Sequence, residues 1–467
     1  MDAAWTHASE IAAAVSEGRT GASTVVSAAL ARIAELNPVL NAFTAALAER
    51  AEARAAAVDA ARRKGRPPGP LAGVPFAVKN LFDVAGLVTL AGSKINRSRA
   101  PAARDATTIE CLEAAGAVLV GTLNMGEYAY DFTGENVHYG ASRNPHDVMR
   151  MTGGSSGGSG GAVAGGLVPL ALGSDTNGSI RVPSSLCGIF GLKPTYGRLS
   201  RARTFPFVAS LDHVGPLARS ARDLALAYDA MQGYDPDDPV CVARPVEAVA
   251  PLIGRGSEGL RIAVAGGYFR SGLFPQARTA LARVASALGV EREVEIPEAQ
   301  RARAAAYVIS ASEGGTLHLE RLRNAARDFD PAVRDRLIAG AMIPGALVAK
   351  AQKFRRWYRA QAGALFAEVD AILAPATPCT APAIGQQTFV LDGVELNVRA
   401  NLGLYTQPIS FIGLPVVMVP VPLKPLPIGV QIIAAAWRED VPLRIAHALE
   451  QAGVAAATEP ELARGTD

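Results

Sequence analysis

Two short turns rich in glycine and serine lie close together in this chain of 467 residues. The first reads Gly153-Gly154-Ser155-Ser156-Gly157-Gly158-Ser159-Gly160-Gly161. The second reads Gly173-Ser174-Asp175-Thr176-Asn177-Gly178-Ser179, followed by Ile180-Arg181-Val182-Pro183. Backbone of this kind could cradle a phosphate, but the required G-x-x-x-x-G-K-[ST] is absent. A dinucleotide fingerprint, G-x-G-x-x-G after a strand, is also poorly matched. Composition alone would allow a flexible linker. The residues beyond argue against one: 162–172 is small and apolar, as for a packed helix entering a strand, and runs directly into the second turn. Ser155 and Ser179 are 24 positions apart, enough chain to leave one site and return to it.

Such turns need a frame. The run Gly73-Val74-Pro75-Phe76-Ala77-Val78 is short and apolar and reads as a buried strand ending on Lys79-Asn80. Residues 107–115 are predicted helical and 117–121 form the next strand, so β and α alternate, which implies an α/β fold with a largely covered sheet. Nearer the start, Ser23 can cap a helix with Val26, Leu30, Ile33 and Leu36 on one face, and Asn37-Pro38 is predicted to stop it. Residues 41–64 read as a second helix closed by Gly65. Beyond a loop-rich 235–259, a strand is expected at 260–265, then helices to about 367 and a strand at 371–375. Ser312-Glu313-Gly314-Gly315 is predicted to break the helical region before a helix carrying His318, Arg321 and Arg323. The division expected is a single domain over 1–467: helices over 1–65, a core over 70–220, a helical elaboration over 240–370, and 371–467 returning to the core.

Composition narrows the classes. Hydrophobic residues are 49% and charged ones 19%, which excludes strong intrinsic disorder. Lys+Arg number 46 against 43 Asp+Glu, too balanced for a chain working through a basic nucleic-acid footprint. Cys111, Cys187, Cys241 and Cys379 are far apart and form no C-x-x-C pair, and the six histidines lack metal-ligand spacing. Met1-Asp2-Ala3-Ala4-Trp5 offers no basic leader, and 409–423 is too short and proline-broken to span a membrane, so a cytoplasmic home is expected.

The GGSSGGSGGAVAGG tract, the GSDTNGSIRVPSSLCGIFGLKPTYG block and the PFAVKN strand end together resemble the amidase-signature family of serine amidases. APATP at 374–378, GLPVVMVP at 413–420 and PIGVQ at 427–431 extend the resemblance over nearly the whole chain. It implies an amidase-signature fold, a central mixed β-sheet covered by helices on both faces. It also implies a Ser–cis-Ser–Lys triad: Lys79 as base, Ser155 as bridging serine with a cis peptide, and Ser179 as nucleophile. No metal or cofactor enters such chemistry.

These residue types suit it. A serine hydroxyl is a poor nucleophile without a base. Lysine serves only when neutral, and burial lowers its pKa from near 10.4. The bland alternative is that Lys79 snorkels to solvent or pairs with Asp83. A hydroxyl can relay a proton because it both donates and accepts. Thr176, Asn177, Gly178 and Ser179 can aim successive N–H groups at one point, an oxyanion hole. Asn177 and Asn80 depart from the family, which commonly has glycine and often aspartate there; Asn177 is either a turn former or a substrate contact. Asp175 with Arg181 reads as a brace, and Ser156 and Ser159 as structural hydrogen-bonders.

The wording of SDTNGSIRVPSSLCG, of 79–97 and of ISASEGGTLHL at 309–319 resembles the biuret / 1-carboxybiuret hydrolase branch, tied to cyanuric acid breakdown. That implies a small planar ureide substrate and release of ammonia. It implies as partners a small helical subunit like the C subunit of tRNA-dependent amidotransferase, and a dimer of the large chain. Tyr128, His318 and Arg323 are expected near the pocket as substrate contacts, against the alternative that each is a surface or core contact. The competing functions are a glutaminase-like A subunit of the amidotransferase, another small-amide amidase, and a catalytically silent scaffold.

Overall fold

The computed structural model describes residues 5–464. The first four residues, read above for a leader, and the last three lie outside the described residues. Fifteen strands occur among the described residues, eleven of them in one sheet. They are β1 Phe43–Ala46, β2 Pro75–Lys79, β3 Val118–Leu123, β4 Arg143–Asn144, β5 Asp147–Met151, β6 Leu170–Asp175, β7 Phe190–Lys193 and β8 His213–Ala218. The remainder are β9 Ile262–Ala265, β10 Glu293–Val294, β11 Ala371–Pro375, β12 Thr388–Leu391, β13 Val394–Asn397, β14 Val416–Val421 and β15 Ile428–Ala434. The large sheet runs β1-β3-β2-β6-β8-β7-β14-β15-β11-β9-β10, with β4-β5 and β12-β13 as separate ribbons. β2 is parallel to both β3 and β6, whereas β6 and β8 are antiparallel, so the sheet is mixed.

Every residue of β2, β3, β6, β7, β8, β11, β14 and β15 is buried. Since successive side chains point to opposite faces, both faces of the sheet must be covered. One cluster of buried apolar side chains runs from Ala8 to Ala455 through those strands and the helices packed on them. Among the described residues no helix is long and apolar enough to cross a membrane.

Several expectations need correction. The first long helix is Ala22–Leu40 and passes through Pro38, which gives up one N–H donor to the ladder in the last turn. It ends at Asn41, whose φ of 48° is left-handed. Ser23 does not cap it; the Asp59 carboxylate does, accepting from Ala22 N at 2.7 Å and Ser23 N at 3.0 Å. Residues 43–46 are a strand rather than the start of a helix, because they pair antiparallel with the edge of β3. The second helix begins at Ala48. Gly314 and Gly315 do not break their helix, which runs Ala299–Leu317. They serve instead where the helix Pro331–Ala341 crosses: a Cβ at Gly315 would lie 2.5 Å from Ala341 N. The strand expected at 371–375 is found with those bounds.

Candidate active site

The glycine-serine tract is no linker. It folds into the helix Gly157–Ala164, every residue of which is buried. A Cβ on Gly158 would come within 2.5–2.6 Å of the Ala42 and Asn124 backbone, so only glycine permits this approach. Ser156 Oγ donates to Ser174 O at 3.2 Å and Ser159 Oγ to Leu172 O at 3.0 Å. These bonds tie the helix to β6, as expected for structural serines. The Gly154–Ser155 peptide is cis, and Ser155 O accepts from Gly126 N at 3.1 Å.

β2 delivers Lys79 to this helix with no exposed surface. Its Nζ donates to Ser155 Oγ at 2.7 Å and to Ser174 Oγ at 2.9 Å. No carboxylate pairs with it among the described residues, and Asp83 is engaged by Thr89 instead. Burial pulls its pKa down to about 7, while the charges of Asp175, Asp212 and Asp131 oppose that fall. A lysine so placed is neutral in an appreciable fraction at physiological pH and can accept a proton from a touching hydroxyl.

β6 ends in the second turn, which is held from four sides. The Asp175 carboxylate takes Ile180 N at 3.2 Å and the Arg181 guanidinium at 2.9 and 3.0 Å, so this pair is the expected brace. The Arg181 charge beside it holds the Asp175 carboxyl well below the usual range, against the penalty of burial. Thr176 Oγ1 donates to Asp212 at 2.6 Å. Thr406 Oγ1 donates to the Asn177 carbonyl at 2.7 Å, and Asn177 Nδ2 to Ser310 Oγ at 2.8 Å. Gly178 sits at φ 142° against the Thr406 side chain, where a Cβ would collide. The N–H groups of Asn177, Gly178 and Ser179 donate to no acceptor among the described residues. Preorganised donors left free in this way suit an incoming oxyanion. The two turns meet through Ser156 N and Ser179 O at 3.4 Å.

Ser179, Thr176 and Asn177 open onto a cavity of about 630 Å³. Tyr130, Phe132, Phe207 and Tyr307 supply its aromatic walls, and Arg303, Arg336 and Arg399 also line it. Arg399 is neutralised by Asp131 at 2.5 Å and Glu135 at 3.6 Å. Arg303 has no carboxylate partner among the described residues; it donates to Gln407 Oε1 at 2.9 Å, Asn401 Oδ1 at 2.8 Å and Ala400 O at 2.9 Å. Arg336 likewise has none among them: its guanidinium lies 3.9 Å from the Tyr130 ring centroid and donates to Ala332 O and Tyr130 O. Among the described residues no group of three or more His, Cys, Asp or Glu could hold a metal.

The expected substrate contacts lie elsewhere. Tyr128 is buried with its ring 4.1 Å from that of His318, and packs on Phe205 and Phe329. His318 is fully buried with neither ring nitrogen bonded among the described residues, and burial followed by the Arg321 charge lowers its pKa to about 3. Arg323 is exposed and pairs with Glu320 at 2.5 Å. None of the three lines the cavity. Because the helix continues through Gly314 and Gly315, the cavity is faced by an earlier stripe: Gln300, Arg303, Ala304 and Tyr307, at helical spacing. That spacing was the available signal. Arg336 and Arg399, from distant segments, carried none.

The amidase family profile matches residues 24–443. The chain is 54% identical to AtzE, a 1-carboxybiuret hydrolase chain of Pseudomonas sp. (strain ADP), covering 96% of this chain and 98% of that one. It is 41% identical to the A subunit of the glutamyl-tRNA(Gln) amidotransferase of Azotobacter vinelandii, over 91% and 92% of the two chains. Among solved structures, an inhibitor-bound complex described as a vestigial protein complex of an s-triazine catabolic enzyme superposes with a TM-score of 0.96 at 53% identity. It covers 97% of this chain and 100% of that one. A bacterial aryl acylamidase of the amidase-signature family superposes at 0.89 with 25% identity, over 99% of both chains.

Proposed function

The chain belongs to the amidase-signature family of amide hydrolases, and on that premise we propose that its substrate is a small ureide bearing a carboxylate, such as 1-carboxybiuret. Biuret is the uncharged relative, and ammonia is the first product. The observation that carries the reading is the pair Arg303 and Arg336, guanidinium groups without a carboxylate partner in the cavity that Ser179 opens onto. Such groups favour a carboxylate, which can accept from the N–H donors they leave unbonded, Nη1 in the case of Arg303. Among the described residues the cavity has no free carboxylate for an α-ammonium group: Asp131, which lines it, is occupied by Arg399, Thr133 and Gly134 N. That weighs against glutamine, which carries both groups.

In the cycle proposed, the Ser179 proton passes through Ser155 to neutral Lys79 as Ser179 Oγ bonds to the carbonyl carbon. The oxyanion is held by the N–H groups of Thr176, Asn177, Gly178 and Ser179, with the Thr176 hydroxyl anchoring the turn. Collapse breaks the C–N bond, the proton returns to nitrogen, and ammonia leaves. Water then adds to the acyl carbonyl, gives its proton to the same relay, and the ester bond to Ser179 breaks as that oxygen is reprotonated. We also propose a dimer of the large chain and a small helical companion like the C subunit of the amidotransferase. The complex formed by the 53% identical relative supports an assembly of some kind.

The test is ammonia release across 1-carboxybiuret, biuret, malonamate and glutamine, with and without a co-purified small subunit. Preference for 1-carboxybiuret is expected. Turnover of glutamine above the ureides would overturn the substrate assignment.

A further inference from the structure

Three carboxylates bear on Lys79: Asp175, Asp212 and Asp131. Two are already matched by guanidinium groups, Asp175 by Arg181 at 2.9 Å and Asp131 by Arg399 at 2.5 Å. Asp212 has no cation within 4 Å among the described residues. The neighbouring Arg201 spends its side chain on Asp238 and donates Nη1 to the Asp212 backbone carbonyl rather than to its carboxylate.

The hydrogen bonds of Asp212 are also arranged unlike those of a surface acid. One oxygen takes Thr176 Oγ1 at 2.6 Å, fixing the first residue of the N–H-bearing turn. The other takes Phe207 N at 2.8 Å and Val208 N at 2.9 Å, and Phe207 is a wall of the substrate cavity. Asp212 also borders a void of about 10 Å³ that Ser174, Thr176, Arg201, Thr204 and His213 share. Ser174 is the second hydroxyl on Lys79 Nζ. The carboxylate and the lysine's own partner thus line one small chamber.

We propose that Asp212 is a positioning residue of the reaction, which ties the N–H-bearing turn to the Phe207 wall and supplies the unmatched negative charge behind Lys79. The proposal deepens the reading in which Lys79 is the base, and rests on it. The other charges around this pocket are cationic or already paired: Arg201, Arg181 and the buried Lys193, with His213 held neutral by burial and by Lys193. Removing the Asp212 charge leaves Lys79 with less to hold its proton, so the lysine becomes neutral at lower pH. Removing only the Thr176 tether leaves that charge in place and loosens the turn.

The experiment compares D212N, D212E and T176V with the unaltered protein, reading kcat/KM against pH on 1-carboxybiuret. D212N should move the acid limb down by about half a unit or more and slow turnover about tenfold or more. T176V should slow turnover with its acid limb unmoved, and D212E should keep the limb at its original pH. A D212N limb at the unaltered position overturns the charge role, and T176V at full rate overturns the positioning role. If D212N does not fold, by near-ultraviolet circular dichroism, T176V and D212E still decide: T176V at full rate, or a D212E limb displaced downward, overturns the proposal. K79A separates the premise: a K79A enzyme with normal turnover overturns the base assignment itself, whereas an inactive K79A leaves these outcomes to bear on Asp212 alone.

Discussion

Two lysines are wholly buried in this sheet, each at the end of a strand: Lys79 on β2 and Lys193 on β7. Burial brings both to a pKa of about 7. Their partners differ. Lys79 touches two serine hydroxyls, those of Ser155 and Ser174. Lys193 donates to the Pro194 carbonyl at 3.0 Å and lies 3.2 Å from His213 Nε2. His213 Nδ1 faces the carbonyls of Asp175 and Leu211, so it carries the proton and leaves Nε2 as acceptor. A carbonyl cannot relay a proton and a hydroxyl can, and the imidazole beside Lys193 has its own proton held between two carbonyls. Desolvation therefore makes an amine capable of acting as a base, and its neighbours decide whether it does.

The largest test of that contrast is loss of function. Lys79→Ala and Ser179→Ala should each reduce kcat by on the order of 10⁴–10⁶-fold, with Ser179→Ala forming no acyl-enzyme by mass spectrometry. Lys79→Ala at near-normal turnover would erase the distinction between the two lysines.

Next is recognition. Arg303→Met and Arg336→Met should each raise KM for 1-carboxybiuret by about 10–100-fold and leave biuret kinetics much less affected. Equal losses on both substrates would mean the guanidinium groups act only in packing.

Stability against pH sharpens the comparison further. Each lysine has a folded pKa of about 7 against 10.5 for the free side chain. Between those values the unfolded chain binds more protons, so stability should rise with pH through that window and level off above about 10. Each lysine contributes a slope of up to about 1.4 kcal/mol per pH unit. Lys79→Met and Lys193→Met should each remove one share of it in chemical denaturation at pH 7.5 and 9.5.

The smallest expected effect is kinetic: Lys193→Met should change kcat only about threefold and leave an acid limb near pH 7 in place. A displaced limb would show that Lys193 titrates as part of the reaction.

What could be read from the sequence follows the range of each feature. Lys79 and the two turns sit in contiguous motifs whose residue types are needed where they stand, and β2 and β11 are uninterrupted apolar runs. Residues 43–46 look helical alone and become a strand because β3 presents an edge to them. The cavity that Ser179 opens onto takes its arginines from positions 303, 336 and 399, brought together only by tertiary packing. Placing His318 and Arg323 at the pocket depends on a break at Gly314-Gly315. The crossing of the helix Pro331–Ala341, which uses those glycines as contact surface, removes that premise.

The buried helix Gly157–Ala164 bears on how this protein can vary. Four of its eight residues are glycines, and its flanks press directly on other segments' backbone. In a saturation mutagenesis experiment it should form one of the least permissive stretches of the chain, although no side chain in it reacts. Changes of substrate would then accumulate on the helix Ala299–Leu317 and around positions 336 and 399, where side chains face open volume. A lineage of such enzymes would diverge in its cavity wall while the apparatus beside it stayed nearly letter for letter the same.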